Sequence, residues 1–335
     1  MKERKLYYLL YLFIAATFVF INVGCSEDED PVTPPVTVNE TEVLVKYLET
    51  AGFDYINSST SIITTATDVN ALVADPTVTI LDIRTGTDYA LGHIQGSVNV
   101  AVADLITYYK NNNLSSKSKV ILTCYTGQTA AFATALLRFA GYTNVYDLKW
   151  GMCSWSDSSK WYSAIQEGLN NPITLQTTPN SKNAAGDLPT FTSTGETEGS
   201  KILEKRLQIL ATEGFGAASV DKSVVFPGNL SNYYIVNYWP EAEYNTPGHV
   251  EGSIQYNPGS AFKLANELKT LPKDKTILIY CYTGQTSAQV AAYLRLLGYD
   301  AKSLLYGMNK LNYNVMTKNQ YKTSECKRYQ IVTGG

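Results

Sequence analysis

The sequence predicts an α/β protein made of two similar units, each a mostly parallel β-sheet flanked by helices on both faces. Three observations lead there. The hexapeptide Cys-Tyr-Thr-Gly-Gln-Thr occurs twice, at Cys124 to Thr129 and at Cys281 to Thr286. Each copy closes a short apolar run, Val120 to Thr123 or Ile277 to Tyr280, and opens a stretch of helical periodicity. Strand-like and helix-like stretches alternate through both halves at the pace of parallel strands joined by crossover helices. With 335 residues there is chain enough for two cores and extensions.

Each unit opens on an amphipathic helix, carrying Leu44, Val45 and Leu48 in the first and Ile202, Leu203, Leu207 and Leu210 in the second. Both helices exit through Gly-Phe (Gly52-Phe53 and Gly214-Phe215), as a glycine C-cap would. Short buried strands are expected at Val78 to Leu81 and Tyr233 to Val236. The segment Tyr89-Ala90-Leu91-Gly92-His93-Ile94-Gln95-Gly96-Ser97 follows, matched by Tyr244 and Gly248-His249-Val250-Glu251-Gly252-Ser253; the two histidines of the chain both stand here. After the cysteine loops come helices bearing Leu136, Leu137 and Phe139, or Val290, Tyr293, Leu294 and Leu297, ended by Gly141-Tyr142 and Gly298-Tyr299. A short strand and Trp150-Gly151-Met152 or Tyr306-Gly307-Met308 close each unit. The expected domains are residues 41–165 and 201–335, with the Pro, Asn, Thr and Gly-rich stretch 166–200 as linker.

The start of the chain reads as an export signal. Lys2, Arg4 and Lys5 precede an almost wholly apolar run from Leu6 to Val23, closed by Asn22-Val23-Gly24-Cys25. A cysteine at that junction resembles the lipobox of bacterial lipoproteins, which implies a signal peptide at 1–24 and lipidation of Cys25. The rival is a retained transmembrane anchor, for which the run is marginally long. Residues 25–40, acidic and then Pro-rich, form a tether. The location that follows is the cell envelope, with the protein lipid-anchored on the outer membrane, at its periplasmic or surface face. A net charge of −3, with no basic run interleaved with aromatics, excludes nucleic acid as an expected partner.

Setting Cys25 aside leaves Cys124, Cys153, Cys281 and Cys326. Only Cys124 and Cys281 occupy equivalent positions. Structural disulfides of a duplicated domain would repeat, so Cys153 and Cys326 read as buried or incidental thiols. A cysteine between a strand end and a glycine-containing loop that opens a helix is where a thiolate can exist at neutral pH. Loop amides and the helix dipole both favour negative charge there.

Together the Asp-x-Arg strand end (Asp82, Arg84), the Gly-His-Ile-x-Gly-Ser segment, the Cys-x-x-Gly-x-Thr loop and the late Gly-Met resemble a rhodanese domain. The resemblance covers both units, so the chain is similar to a tandem rhodanese. It implies a loop cysteine that takes sulfane sulfur from a small donor, becomes a persulfide, and passes the outer sulfur to cyanide or a thiol. It implies no cofactor and no metal. The persulfide loops are then Tyr125, Thr126, Gly127, Gln128, Thr129 and Ala130, and Tyr282, Thr283, Gly284, Gln285, Thr286 and Ser287. Loops ending in threonine resemble those of thiosulfate and mercaptopyruvate sulfurtransferases. Related phosphatases have a longer loop ending in arginine, so phosphatase chemistry is disfavoured.

The departures shape the expectations. Tyr125-Thr126 and Tyr282-Thr283 are neutral where many thiosulfate-using members are basic, so the loop itself supplies no cation. Asp82 and Arg84 are expected to form an ion pair that braces the first loop, but their matches in the second unit are Asn237 and Trp239. His93 and His249 are expected to be structural hydrogen-bonders, since metal binding has no companion ligands there. Trp150, Tyr125, Tyr282 and Trp239 are candidate pocket walls. Two function classes follow: a sulfurtransferase of the cell envelope, or a rhodanese fold kept as a membrane-anchored binding or redox-sensing module.

Overall fold

A computed structural model describes residues 39–334. The expected signal peptide, the expected lipidation site Cys25 and the expected tether up to residue 38 lie outside the described residues. The first unit runs α1 (Glu40–Ala51), β1 (Ile63–Thr64), α2 (Ala66–Leu72), β2 (Val78–Asp82), α3 (Gly86–Leu91), β3 (Val98–Asn99), α4 (Leu105–Asn111), β4 (Lys119–Thr123), α5 (Gln128–Phe139), β5 (Val145–Leu148), α6 (Met152–Trp155) and α7 (Ser159–Asn170). After β6 (Leu175–Gln176), the second unit runs α8 (Gly199–Ala217), β7 (Ser219–Val220), α9 (Lys222–Val225), β8 (Tyr233–Asn237), α10 (Glu241–Asn245), β9 (His249–Val250), β10 (Ile254–Gln255), β11 (Thr276–Tyr280), α11 (Gln285–Leu296), β12 (Ala301–Leu304) and α12 (Met308–Leu311).

The sheet orders are β1-β5-β4-β2-β3 and β7-β12-β11-β8-β10, the same topology twice, and every pairing in both sheets is parallel. Continuous apolar strands are what such a sheet needs, because both of its faces are covered. Alternate residues divide between the faces. Leu81, Val120 and Leu122, with Val236, Ile277 and Ile279, face a core shared by both units. Ile80 and Ile121 face an outer cluster of the first unit, and Ile235, Leu278 and Tyr280 one of the second. Helices α5 and α11 lie in the shared core, so the two cysteine loops that open them are neighbours.

Local signals explain the ends of the elements. Asn39 caps α1 by accepting from the Thr41 and Glu42 amides at 3.0 and 3.3 Å. Gly52 ends it in the left-handed conformation at φ 70°. Gly214 breaks α8 at φ 68°, although helical turns resume to Ala217.

The expected domain limits need correction. The boundary at 165 falls inside α7 and the one at 200 inside α8. The stretch between them is no free linker, for it lies along the second unit. There β6 pairs antiparallel with β9, the Ile173 amide donates to Leu311 O at 2.9 Å, and the Gly186 amide donates to Lys269 O at 2.8 Å. The segment after Cys326 crosses the other way. It pairs Val332 with His93 of the first unit. Each trailing segment therefore covers the opposite unit, because the bare backbone of the Gly-His segment offers hydrogen bonds that only another extended chain can meet.

Candidate active site

At the end of β4 the chain turns around Cys124. Its thiol is buried, 5 % exposed, and accepts the Ala130 amide at 3.3 Å. Amides of Thr126, Gly127 and Thr129 also point at the sulfur. Gly127 (φ 84°) turns the loop. A second glycine is demanded from below: a Cβ on Gly151 (φ 57°) would come within 2.3 Å of the Cys124 carbonyl oxygen. The nest reaches one residue past Thr129 and opens directly into α5.

Electrostatics at this thiol differ from the expectation. Burial pushes the Cys124 thiol up from its ordinary value, while the Ala130, Thr126, Gly127 and Thr129 amides pull in the other direction. Desolvation wins because the sulfur is shut away from water in the free protein. The amides are in place for a charge that has to be generated there.

Asp82 and Arg84 form the ion pair that frames this loop. Arg84 Nη2 and Asp82 Oδ2 are 2.6 Å apart, Arg84 Nε donates to both carboxylate oxygens, and both side chains are buried. The guanidinium also donates to Gly92 O at 2.7 Å, tying strand β2 to the Gly-His segment. Nε and Nη2 are thereby engaged, and Cζ lies 5.2 Å from the centre of the Tyr125 ring. His93 stacks on Tyr89 (3.7 Å between centroids) with Nδ1 2.9 Å from Tyr89 O, and His249 does the same with Tyr244 at 3.5 and 2.9 Å. Both rings are packed into the turn, away from either thiol's hydrogen-bond shell. Among the described residues no cluster of His, Cys, Asp or Glu is arranged to hold a metal ion.

Against Tyr125 lies a cavity of about 250 Å³, walled by Arg84, Asp88, Cys153, Asp157, Lys160 and Ile331 among others. Lys160 Nζ stands 4.6 Å above the Tyr125 ring. The missing cation thus comes from α7, outside the loop. Sequence reasoning passed over Lys160 because it reads as the solvated face of a helix; only its spacing one residue before the buried Trp161, whose Nε1 donates to Thr126 O at 3.1 Å, could have flagged it. Cys153 is buried, as expected of a buried or incidental thiol, and it also borders this cavity. Burial pushes its thiol up to about 12.

The second loop has the same backbone and a different surround. Cys281 is 2 % exposed; its sulfur accepts the Gly284 and Ser287 amides at 3.2 and 3.3 Å and has the Ser287 hydroxyl at 3.4 Å. Gly284 (φ 78°) turns it, and Thr283 Oγ1 accepts the Gln285 amide at 3.1 Å. Asn237 replaces the aspartate and donates to Tyr280 Oη at 2.7 Å, a hydroxyl that also receives the Val250 amide at 3.1 Å. A neutral tyrosine hub does the tying that Arg84 does in the first unit. Trp239, at the arginine position, is buried and stacks flat on Tyr282, 4.6 Å between centroids at 12°. A groove of about 450 Å³ reaches Thr286 from the other side, between residues 55–63 and Tyr238, with no charged side chain in its lining.

The loops are cross-linked by a reciprocal exchange. Gln128 Oε1 accepts the Tyr306 amide at 2.7 Å, and Gln285 Oε1 accepts the Trp150 amide at 3.1 Å. Gln285 and Gln289 also donate to the buried Asp147 at 2.7 and 3.3 Å.

Comparison with known proteins follows this geometry. The rhodanese-like domain family profile matches residues 65–158 and 229–313. The tRNA uridine(34) hydroxylase of Acaryochloris marina is 32% identical over 103 residues, covering 28% of this chain and 33% of that protein. The protein of the same name from Sinorhizobium medicae is 30% identical over 105 residues, covering 30% and 33%. The chain thus spans about a third of the length of these curated relatives. Among solved structures, the 3-mercaptopyruvate sulfotransferase of Escherichia coli is 18% identical, covering 73% of this chain and 98% of that one, with a TM-score of 0.28.

Proposed function

This chain belongs to the rhodanese-like domain family, carrying two such domains, and from that premise we propose that it is a sulfurtransferase whose working thiol is Cys124. The observation that supports this most is the meeting of two features at the first loop: a ring of amides aimed at a buried sulfur, and, against the next residue Tyr125, a cavity whose wall carries Lys160 and Arg84 alongside Asp88 and Asp157. The charged residues of the family's pattern are intact there, whereas Trp239 stands at the arginine position of the second unit.

In the proposed reaction Cys124 first gives its proton to solvent, and the thiolate so formed attacks the outer sulfur of a small organic persulfide. One S–S bond forms as another breaks, the donor leaves as a thiolate, and the enzyme holds a persulfide anion. One negative charge enters the nest and one remains, so the same amides stabilise both states. A nucleophile then takes the outer sulfur, cyanide leaving as thiocyanate or a thiolate as a new persulfide, and Cys124 returns as thiolate. Lys160 stabilises the departing anion electrostatically. The loop residues Tyr125 and Thr126 supply no cation at the thiol, which favours a singly charged organic donor over inorganic thiosulfate. The hydroxylase activity in the relatives' name belongs to proteins matched over a third of their length and is not extended to this chain.

Position completes the proposal. The basic, apolar and Cys25 sequence at the start of the chain supports a lipid-anchored protein of the cell envelope, and labelling with a tagged fatty acid that is lost in Cys25→Ser tests it. A second reading, a non-catalytic binding module, is favoured by the upward push on the Cys124 thiol. Intact mass after incubation with glutathione persulfide, thiosulfate or mercaptopyruvate decides between them. The expected result is one added sulfur on Cys124, removed by cyanide and absent in Cys124→Ser but kept in Cys281→Ser. No added sulfur from any donor sinks the enzyme reading.

A further inference from the structure

The segment from Lys327 to Gly334, which follows the second unit, crosses the mouth of the first unit's cavity. It is fastened on one side to α6: the Lys327 amide donates to Ser154 O and the Tyr329 amide to Trp155 O, both at 2.8 Å, and Trp155 Nε1 donates to Gln330 O at 3.0 Å. On the other side it is fastened to the Gly-His turn. His93 and Val332 exchange both backbone hydrogen bonds at 2.9 and 3.0 Å, and the Gly334 amide donates to Ala90 O at 2.9 Å. Between these moorings Ile331 sits over Gly92, its Cδ1 only 2.5 Å from where a Cβ on that glycine would stand. Ile331 is 37 % exposed, yet it forms part of the cavity wall with Leu91 and Met152. A side chain that stays half in water adds little to stability; here it narrows the space in front of Tyr125 and Cys153.

We propose that Ile331 is a specificity-determining residue, contributed by the strap of the second unit to the first unit's site, which limits the sulfur donor to small molecules. The proposal rests on the reading of the first loop as the sulfur-accepting site. About 250 Å³ lies just below the range usual for sites that enclose drug-sized ligands. Ile331→Ala removes three carbons from the wall at its closest approach to Gly92. Val332→Pro deletes the amide that donates to His93 O and loosens the same mooring without touching the cavity lining.

Two readouts on the full chain separate this proposal from the one beneath it. The first is labelling of Cys153, which borders the cavity, by N-ethylmaleimide and by N-(1-pyrenyl)maleimide, mapped by peptide mass. Ile331→Ala and Val332→Pro are expected to raise the pyrenyl rate about tenfold or more while the ethyl rate changes less than about twofold, the scale of discrimination a few methylenes give in an apolar pocket. Ile331→Trp is expected to slow both reagents. The second readout is Cys124 persulfide formation from a small and from an aryl-substituted organic persulfide, where the same variants should shift the ratio of rates in the same direction. Unchanged size selectivity in all three variants, with Cys124 persulfide still forming, overturns the strap proposal and leaves the sulfurtransferase standing. Size-selective labelling of Cys153 with no persulfide in any protein does the reverse.

Discussion

Asp147 is buried between the units, and its replacement by asparagine makes a quantitative test of how they are joined. Its carboxyl accepts from Gln285 and Gln289 of the second unit, and among the described residues no cation bonds it. Burial pushes it up to about 8, against the pull of the two amides and of Arg138. The carboxyl is therefore protonated in the folded protein at neutral pH. The unfolded chain gives up that proton near the ordinary value of 3.8. Between these values the folded state holds one more proton, so stability is greatest in acid and falls as pH rises, by about 1.4 kcal/mol per pH unit. Roughly four units separate the two values, so the loss approaches about 5 kcal/mol by pH 8 and is flat beyond. Asp147→Asn keeps an acceptor for Gln285 and, after an amide flip of Gln289, a donor for its oxygen, with nothing to titrate. The expected outcome is a variant about equal to wild type at pH 5 or somewhat below it, and several kcal/mol more stable at pH 8. Urea unfolding followed by tryptophan fluorescence at half-unit steps of pH measures the difference, in which all other titrating groups cancel. If wild type and variant lose stability in parallel from pH 5 to 8, Asp147 is ionised in the folded protein and the reasoning fails.

Two further outcomes are expected. Trp239→Ala removes a fully buried ring whose Nε1 has no hydrogen-bond partner among the described residues, so it should cost about 3–5 kcal/mol by the usual cavity penalty. It should also make Cys281 accessible to maleimide, and unaltered labelling there would show that the tryptophan does not close that site. For Cys124, whose thiol burial holds above the ordinary range, alkylation by iodoacetamide should climb about tenfold per pH unit from 6 to 9, the slope of a thiolate fraction far from its midpoint. A plateau below pH 8 would mean that the amides outweigh burial.

Much of the architecture was legible because the chain says it twice. The runs Val120 to Thr123 and Ile277 to Tyr280 become the central strands β4 and β11, and the periodic stretches after Gly127 and Gly284 become α5 and α11. The ion pair of Asp82 and Arg84 could be expected from their spacing at a strand end. What stayed hidden depends on contacts between distant segments. Lys327 to Val332 has no periodicity of its own, and its order comes from backbone hydrogen bonds to Ser154, Trp155 and His93, which no side-chain pattern encodes. Lys160 looks like any solvated helical lysine until α7 is placed beside Tyr125. The state of the Cys124 thiol was misjudged because amide direction can be read from a loop motif, whereas the depth of burial that opposes it cannot.

The differences between the two units form a consistent set. Where the first unit places Asp82, Arg84, Ala130 and Asp147, the second places Asn237, Trp239, Ser287 and Ser303. Each change in the second unit removes a charge or supplies a neutral hydrogen bond within the protein. Tyr280 takes over as hub from Arg84, and Ser287 Oγ, paired with Ser303 Oγ at 2.8 Å, sits by the Cys281 sulfur where the first unit has only a methyl group. A sulfur ringed by neutral groups already hydrogen-bonded to one another has little left to offer an arriving anion. The first unit keeps its amide ring, its cavity and Lys160 open to a ligand, while the second lends it Gln285, Gln289 and the strap. The duplication thus reads as a division of labour, with one unit exposing the chemistry and the other holding it in shape. It follows that damage to the second unit's contacts should be felt at Cys124 sooner than damage to Cys281 itself.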